Sequence, residues 1–339
     1  MWRRFRRVFI SLIITIIVLV GLLTWLIAKA TAHLLHPPTH PLEERHYAAY
    51  KNPSEFGLKL ERVSVSTADG VKLQGVHVEP AAEPGAAVKF RKMRELMRQE
   101  AGLPLPSQNE RRGTILMLHG RGGKKEDSFA IAERFCAAGY RCIAFDARAQ
   151  GESGGEFVSY GWRERGDIRA ILDAMEAQYG TGLRPWGLFG ISMGAATGLQ
   201  TLPEEPRLKA AVVVASYSDM GLQMREVANR HFFQGASVLA DVTAAWIKFR
   251  TDFDIYAIQP VKSAPRIFQP VCVVHGGADT YIPTRHGRDI YAALTCEKKW
   301  IEVPGGNHGA VLMTGGDPLY YEMIRYYWEH LPRNAELKH

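Results

Sequence analysis

Beyond Gly113 the chain alternates short, almost wholly apolar runs with longer stretches of helical spacing. The runs are Thr114–Leu118, Cys142–Phe145, Trp186–Phe189, Ala210–Val214, Val271–Val274 and Trp300–Val303. A strand that is apolar on both faces is buried on both, the situation of a parallel sheet covered by helices from either side. The pattern predicts a doubly wound, mostly parallel α/β domain. Ahead of it, Val63, Val65, Val71, Leu73, Val76 and Val78 alternate around Ala68-Asp69-Gly70, which predicts a β-hairpin and starts the domain near Leu58. The domain is expected over 58–332. Its one long departure, between Ser216 and Pro270, contains two helical patterns, Gly221–Asn229 and Ser237–Arg250, and is expected to form a small helical lid over about 217–262.

The N-terminus has another character. Arg3, Arg4, Arg6 and Arg7 precede an uncharged apolar run from Val8 to Ala28. At 1.5 Å per helical residue that run reaches about 30 Å, the thickness of a bilayer core. Residues 1–30 are therefore expected to be a basic stub and one transmembrane signal-anchor. The arginines before the run and the lone Lys29 after it place the N-terminus in the cytoplasm and the catalytic domain outside it, periplasmic or extracellular, in a single-pass membrane protein. Ala28-Lys29-Ala30 and Ala30-Thr31-Ala32 have the small-x-small form of a cleavage site, but the run is longer than a typical signal peptide's apolar region, so a retained anchor is expected. Residues 31–57, with Pro37, Pro38, Pro41 and Pro53, read as a tether.

Charge and cysteine content narrow the classes further. With the four leading arginines set aside, the 42 basic residues become 38 against 35 acidic, too even a balance to suggest nucleic acid as a partner. Cys136, Cys142, Cys272 and Cys296 are read equally as buried thiols or disulfides. Between Pro80 and Arg112, Phe90, Met93, Leu96 and Met97 fall at helical spacing among basic residues, either a helix docked on the domain or one lying on an anionic membrane surface.

The chemistry centres on Gly190-Ile191-Ser192-Met193-Gly194, which follows an apolar run and opens a small-residue helical stretch. A serine at a sharp strand-to-helix turn is held out at the sheet edge, with glycines permitting the tight backbone. Its hydroxyl needs a base, and the base needs an acid to fix its tautomer. Asp279 follows the run Val271–Val274, and His308 follows Trp300–Val303, so the order is Ser192, Asp279, His308. His119 and His275 also sit at strand ends and are rival bases, and Asp279 is alternatively a turn residue before Ile282-Pro283. The glycine-rich turn Leu118-His119-Gly120-Arg121-Gly122-Gly123 places the backbone N–H of Arg121, with that of Met193, as an oxyanion hole. Arg121, Lys124 and Lys125 near that turn suggest a preference for anionic substrates. No zinc spacing, P-loop or dinucleotide motif occurs, and no metal or cofactor is expected.

These motifs in this order resemble the α/β-hydrolase superfamily, most closely its serine-aminopeptidase-like (S33) and Bem46-like members, over about Leu58 to Trp328. Phe145-Asp146-Ala147-Arg148-Ala149-Gln150-Gly151-Glu152-Ser153-Gly154 is similar to that group's D-x-R-G-x-G-x-S loop, with Ala149 where glycine is usual and Asp146 read as structural. The resemblance implies hydrolysis of an ester, thioester or amide through an acyl-enzyme, with a small-molecule or peptide acyl substrate. A carboxylesterase is expected, the alternatives being an aminopeptidase-like peptidase, an acyltransferase, or a catalytically silent anchored binding protein. The modest length of the lid suggests small or short acyl groups.

Overall fold

Alternate residues of each central run belong to different cores. Met117 and Ile115 pack on one side of the sheet and Leu116 on the other, and the same holds for Val212 and Val214 against Val213, and for Cys272 and Val274 against Val273. Successive strand side chains point to opposite faces, so two buried faces demand an unbroken apolar run. The computed structural model describes residues 2–82, 88–100, 103, 105–106, 110–231 and 233–331; the expected domain end at 332 and Met1 lie outside them.

Eight strands, β1 (Leu58–Ser66), β2 (Lys72–Pro80), β3 (Gly113–Leu118), β4 (Tyr140–Phe145), β5 (Trp186–Ile191), β6 (Leu208–Val214), β7 (Val271–Gly276) and β8 (Lys298–Val303), form one sheet in the order β1-β2-β4-β3-β5-β6-β7-β8. The β1–β2 and β2–β4 pairs are antiparallel and the rest parallel. Each apolar run of the sequence lies within one strand.

The helices are α1 (Trp2–Leu35), α2 (Glu44–Lys51), α3 (Val88–Gln99), α4 (Phe129–Ala137), α5 (Glu164–Tyr179), α6 (Met193–Thr201), α7 (Met220–His231), α8 (Ser237–Thr251), α9 (Pro260–Ser263), α10 (Arg285–Ala293) and α11 (Val311–His330). Helices α3, α4 and α11 cover one face of the sheet, and α5, α6 and α10 the other. Phe90, Met93 and Met97 of α3 are buried in the first of these layers, so the basic helix turns its apolar side to the domain. The four cysteines are unpaired thiols.

The loop after β4 is a rigid corner. Asp146 is fully buried and accepts hydrogen bonds from the Lys125 and Glu152 amides, both at 2.8 Å, and from Lys125 Nζ at 2.9 Å. A Cβ on Gly151 would stand 2.2 Å from the Asp146 carboxyl carbon, which accounts for glycine there. Ala149 takes φ 58°, the left-handed region that glycine enters without strain. Arg148 joins Asp167 of α5 to Asp69 of the β1–β2 turn.

Helix α1 is long and apolar enough to cross a membrane, with a mean hydropathy of 2.8 over its most apolar window, none of it buried. Its final turns meet the domain, where Leu35 is buried. The tether expected at 31–57 differs from what is found. Pro37 and Pro38 follow directly on the end of α1, and the strand of chain beyond them is pinned rather than loose. His40 Nε2 lies 3.0 Å from Asp127 Oδ2, Tyr50 donates to Glu126 at 2.7 Å, and His46 and Ala49 of α2 are buried. Prolines here stop a helix because they cannot donate its next hydrogen bond; they do not loosen the chain.

Candidate active site

Ser192 stands between β5 and α6 with φ 53° and ψ −113°, a strained conformation for a non-glycine residue. Its neighbours make that turn possible. A Cβ on Gly190 would come 2.6 Å from the Gly194 oxygen, and one on Gly194 would come 2.3 Å from the Leu118 oxygen. The two glycines therefore let α6 start hard against the ends of β5 and β3. Met193 opens α6, whose first amides have no intrahelical acceptor and remain free for a ligand.

From the serine a hydrogen-bonded line runs inward. Ser192 Oγ is 3.0 Å from His308 Nε2, and His308 Nδ1 is 2.8 Å from Asp279 Oδ2. Asp279 also serves the turn that the sequence offered as its alternative role, because its other oxygen accepts from the Tyr281 and Ile282 amides at 2.9 and 2.8 Å. Burial alone would raise its pKa, but the hydrogen bonds from His308 and the Ile282 amide, with the His275 imidazole 3.6 Å away, outweigh it and hold the carboxyl well below its usual range. Nδ1 of His308 thereby carries the proton, and Nε2 is left as an acceptor facing the serine.

The rival histidines are occupied elsewhere. His119 Nε2 accepts from the Ala147 amide at 2.9 Å and its Nδ1 lies 2.7 Å from the Gly120 oxygen, so both ring nitrogens are committed to loop structure. His275 is wholly buried, with Nε2 2.9 Å from the Ile282 oxygen. A second line of the same residue types, Ser218 Oγ to His286 Nδ1 at 2.8 Å and His286 Nε2 to Glu226 Oε2 at 3.2 Å, ties α7 to α10, but Ser218 and His286 are buried away from solvent.

The glycine-rich turn after β3 lies against the serine: a Cβ on Gly120 would be 3.5 Å from that of Ser192. Two of the three cations expected to draw anionic substrates, Arg121 and Lys125, have other work. The Arg121 guanidinium donates to the His33 carbonyl of α1 at 3.1 Å. Lys125 is buried among Asp146, Glu152 and Glu126, at 2.9, 2.9 and 3.1 Å.

Ser192 and Met193 open onto a cavity of about 520 Å³, within the range of small-molecule sites. Its walls come from α7, α8 and, unforeseen in the sequence, the last turns of α1, including Trp25, Leu26, Ala30 and Leu34. The expectation of short acyl groups counted only the lid as cover. Helix α1 supplies a further apolar wall, so that restriction does not follow.

The fold that carries these residues is shared with known proteins. Residues 109–256 match the family model "Serine aminopeptidase, S33". A Pyrococcus furiosus esterase superposes with a TM-score of 0.61 at 17% identity, covering 88% of this chain and 99% of its own. The chain has the α/β-hydrolase fold. A Pyrococcus horikoshii acylaminoacyl peptidase shares this α/β-hydrolase architecture with a TM-score of 0.59 at 14% identity, over 84% of this chain and 44% of its own. Among curated sequences, the uncharacterized protein YqkD of Bacillus subtilis is 23% identical over 226 residues, 66% of this chain and 73% of that protein.

Proposed function

We propose that this α/β hydrolase is a serine carboxylesterase working through an acyl-enzyme, and the observation that carries the reading is the line from Ser192 through His308 to Asp279. Ser192 Oγ attacks the ester carbonyl as His308 Nε2 takes its proton, and Asp279 stabilises the resulting imidazolium. The Arg121 and Met193 amides receive the oxyanion. Collapse breaks the bond to the alkoxide, which leaves with the proton from His308; water then repeats the sequence and releases the carboxylic acid.

Ester is favoured over aminopeptidase substrates by the charge of the cavity. A free α-ammonium calls for a carboxylate partner, and among the described residues lining the cavity none is Asp or Glu, whereas Lys29, His33 and Arg121 are present. With purified protein, fluorophosphonate should label Ser192, and p-nitrophenyl esters should turn over faster than aminoacyl amides. Preferential cleavage of aminoacyl amides would reverse the choice.

We also infer that α1 is retained as an anchor, with its arginines in the cytoplasm and the domain on the far side. Protease added to intact spheroplasts should then degrade the domain; full protection until lysis would reverse the orientation.

A further inference from the structure

The lid is apolar on the wrong side for a water-facing helix. Ala240, Thr243, Ala244 and Ile247 of α8 are buried toward the domain. Val238, Val242, Trp246 and Phe249, spaced at helical intervals on the opposite side, are 63%, 41%, 39% and 80% exposed. Phe233, in the turn from α7, is exposed as well. A contiguous apolar stripe of this kind marks a contact surface.

Its neighbour identifies the occupant. Helix α8 packs beside α1, and α1 runs without a break from its exposed apolar length into the residues that wall the cavity. The end of α1 is fastened to the site: Tyr160 donates to the Leu34 carbonyl at 2.7 Å, the Val158 amide to the Leu35 carbonyl at 2.9 Å, and Arg121 to His33. Ala28, where the apolar run ends, is only about 8 Å along the helix axis from His33. Trp25 lies where aromatic residues gather at a membrane interface, and it also lines the cavity.

We propose that the outer face of α8 is seated in the same bilayer that holds α1, and that the cavity at Ser192 is loaded sideways from the membrane by an amphiphilic ester with a long acyl chain. The chain would slide between α1 and α8 into the apolar cavity while its ester carbonyl, at the level of the lipid headgroups, meets Ser192. This inference rests on the serine-esterase reading and adds the substrate class to it.

The test uses full-length protein reconstituted into dioleoylphosphatidylcholine vesicles carrying methylumbelliferyl oleate, compared with soluble p-nitrophenyl acetate. Acetate turnover counts folded, competent sites, and oleate turnover is expressed per such site. Phe249→Asp and, separately, Val242→Asp should each lower the oleate rate about tenfold, the partition penalty of a carboxylate where an apolar side chain met lipid. Brominated lipid should quench wild-type fluorescence more than that of Trp246→Phe. Unchanged oleate turnover in both aspartate variants, with no difference in quenching, would overturn the proposal. So would a dimer that Phe249→Asp dissolves while oleate turnover persists, since the stripe would then belong to a second copy. Wild-type protein that hydrolyses acetate but not oleate defeats this inference alone; protein that hydrolyses neither defeats the esterase reading beneath it.

Discussion

Ser192→Ala is expected to abolish fluorophosphonate labelling and ester hydrolysis together while leaving the thermal unfolding midpoint near that of the wild type. The hydroxyl hydrogen-bonds to His308 Nε2, so its loss removes the proposed nucleophile and little packing. His308→Ala should be as inactive, a loss of about 10⁶-fold in kcat, because nucleophile and base act as a unit and their effects do not add. Asp279→Asn separates the two duties of that carboxylate. Its amide oxygen can still accept from the Tyr281 and Ile282 amides, so the turn survives. Its NH₂ group then faces His308 Nδ1 and favours the tautomer whose Nε2 bears hydrogen, which cannot take the serine proton; about a 10⁴-fold loss is expected. Active-site titration with a slow carbamate alongside unfolding curves would measure both. Normal turnover by Ser192→Ala, or labelling of another serine in it, would remove the mechanism.

The order Ser192, Asp279, His308 was readable because each residue follows an apolar run, and in a parallel sheet the ends of successive runs converge on one edge. The central strands were readable for the same reason that they are buried: two covered faces leave few polar positions to interrupt the pattern, whereas the edge strand β8 is half-buried and carries the exposed Glu302. Hidden from the sequence were the long-range contacts that no strand end announces. Pro37 and Pro38 look alike in a loose tether and in a strap pinned through His40 and Tyr50, because the difference lies in Asp127 and Glu126, far away in the chain. Nothing local in α1 says that its last turns wall a cavity opposite α7 and α8. Ala149 was legible as a departure from a glycine pattern, and the structure gives the departure its meaning as a non-glycine residue at positive φ. Arg121, Lys124 and Lys125 read as cations beside the glycine-rich turn, yet Arg121 is tied to His33 and Lys125 is turned inward.

That inward lysine carries the largest stability prediction. The Lys125 side chain is 2% exposed and lies between Asp146, 0% exposed, and Glu126, 2% exposed, with the more open Glu152 alongside. Burial opposes its charge, but its hydrogen bonds to Asp146 and Glu152 outweigh that and raise its pKa. A raised pKa means that the contribution is complete at every pH below the ordinary lysine value and is lost only as pH climbs through the higher folded value. Lys125→Met keeps much of the side-chain volume and removes the ammonium, leaving buried carboxylates without their cation. Breaking a buried pair from one side costs about 3–5 kcal/mol, much more than such a pair contributes against an apolar replacement of both partners. For a domain of this size that is a fall of about 10 °C in Tm. Lys92→Met, on the exposed side of α3, should move Tm by no more than about 1 °C. Adding Asp146→Asn to Lys125→Met should recover only a small part of the loss, since it removes the buried charge while its single amide oxygen can accept from only one of the Lys125 and Glu152 amides, its NH₂ facing the other. Unfolding curves in one detergent for the four proteins would check this; equal midpoints for Lys125→Met and Lys92→Met would mean that the buried carboxylates protonate or find water, and that the cluster does not hold the corner after β4.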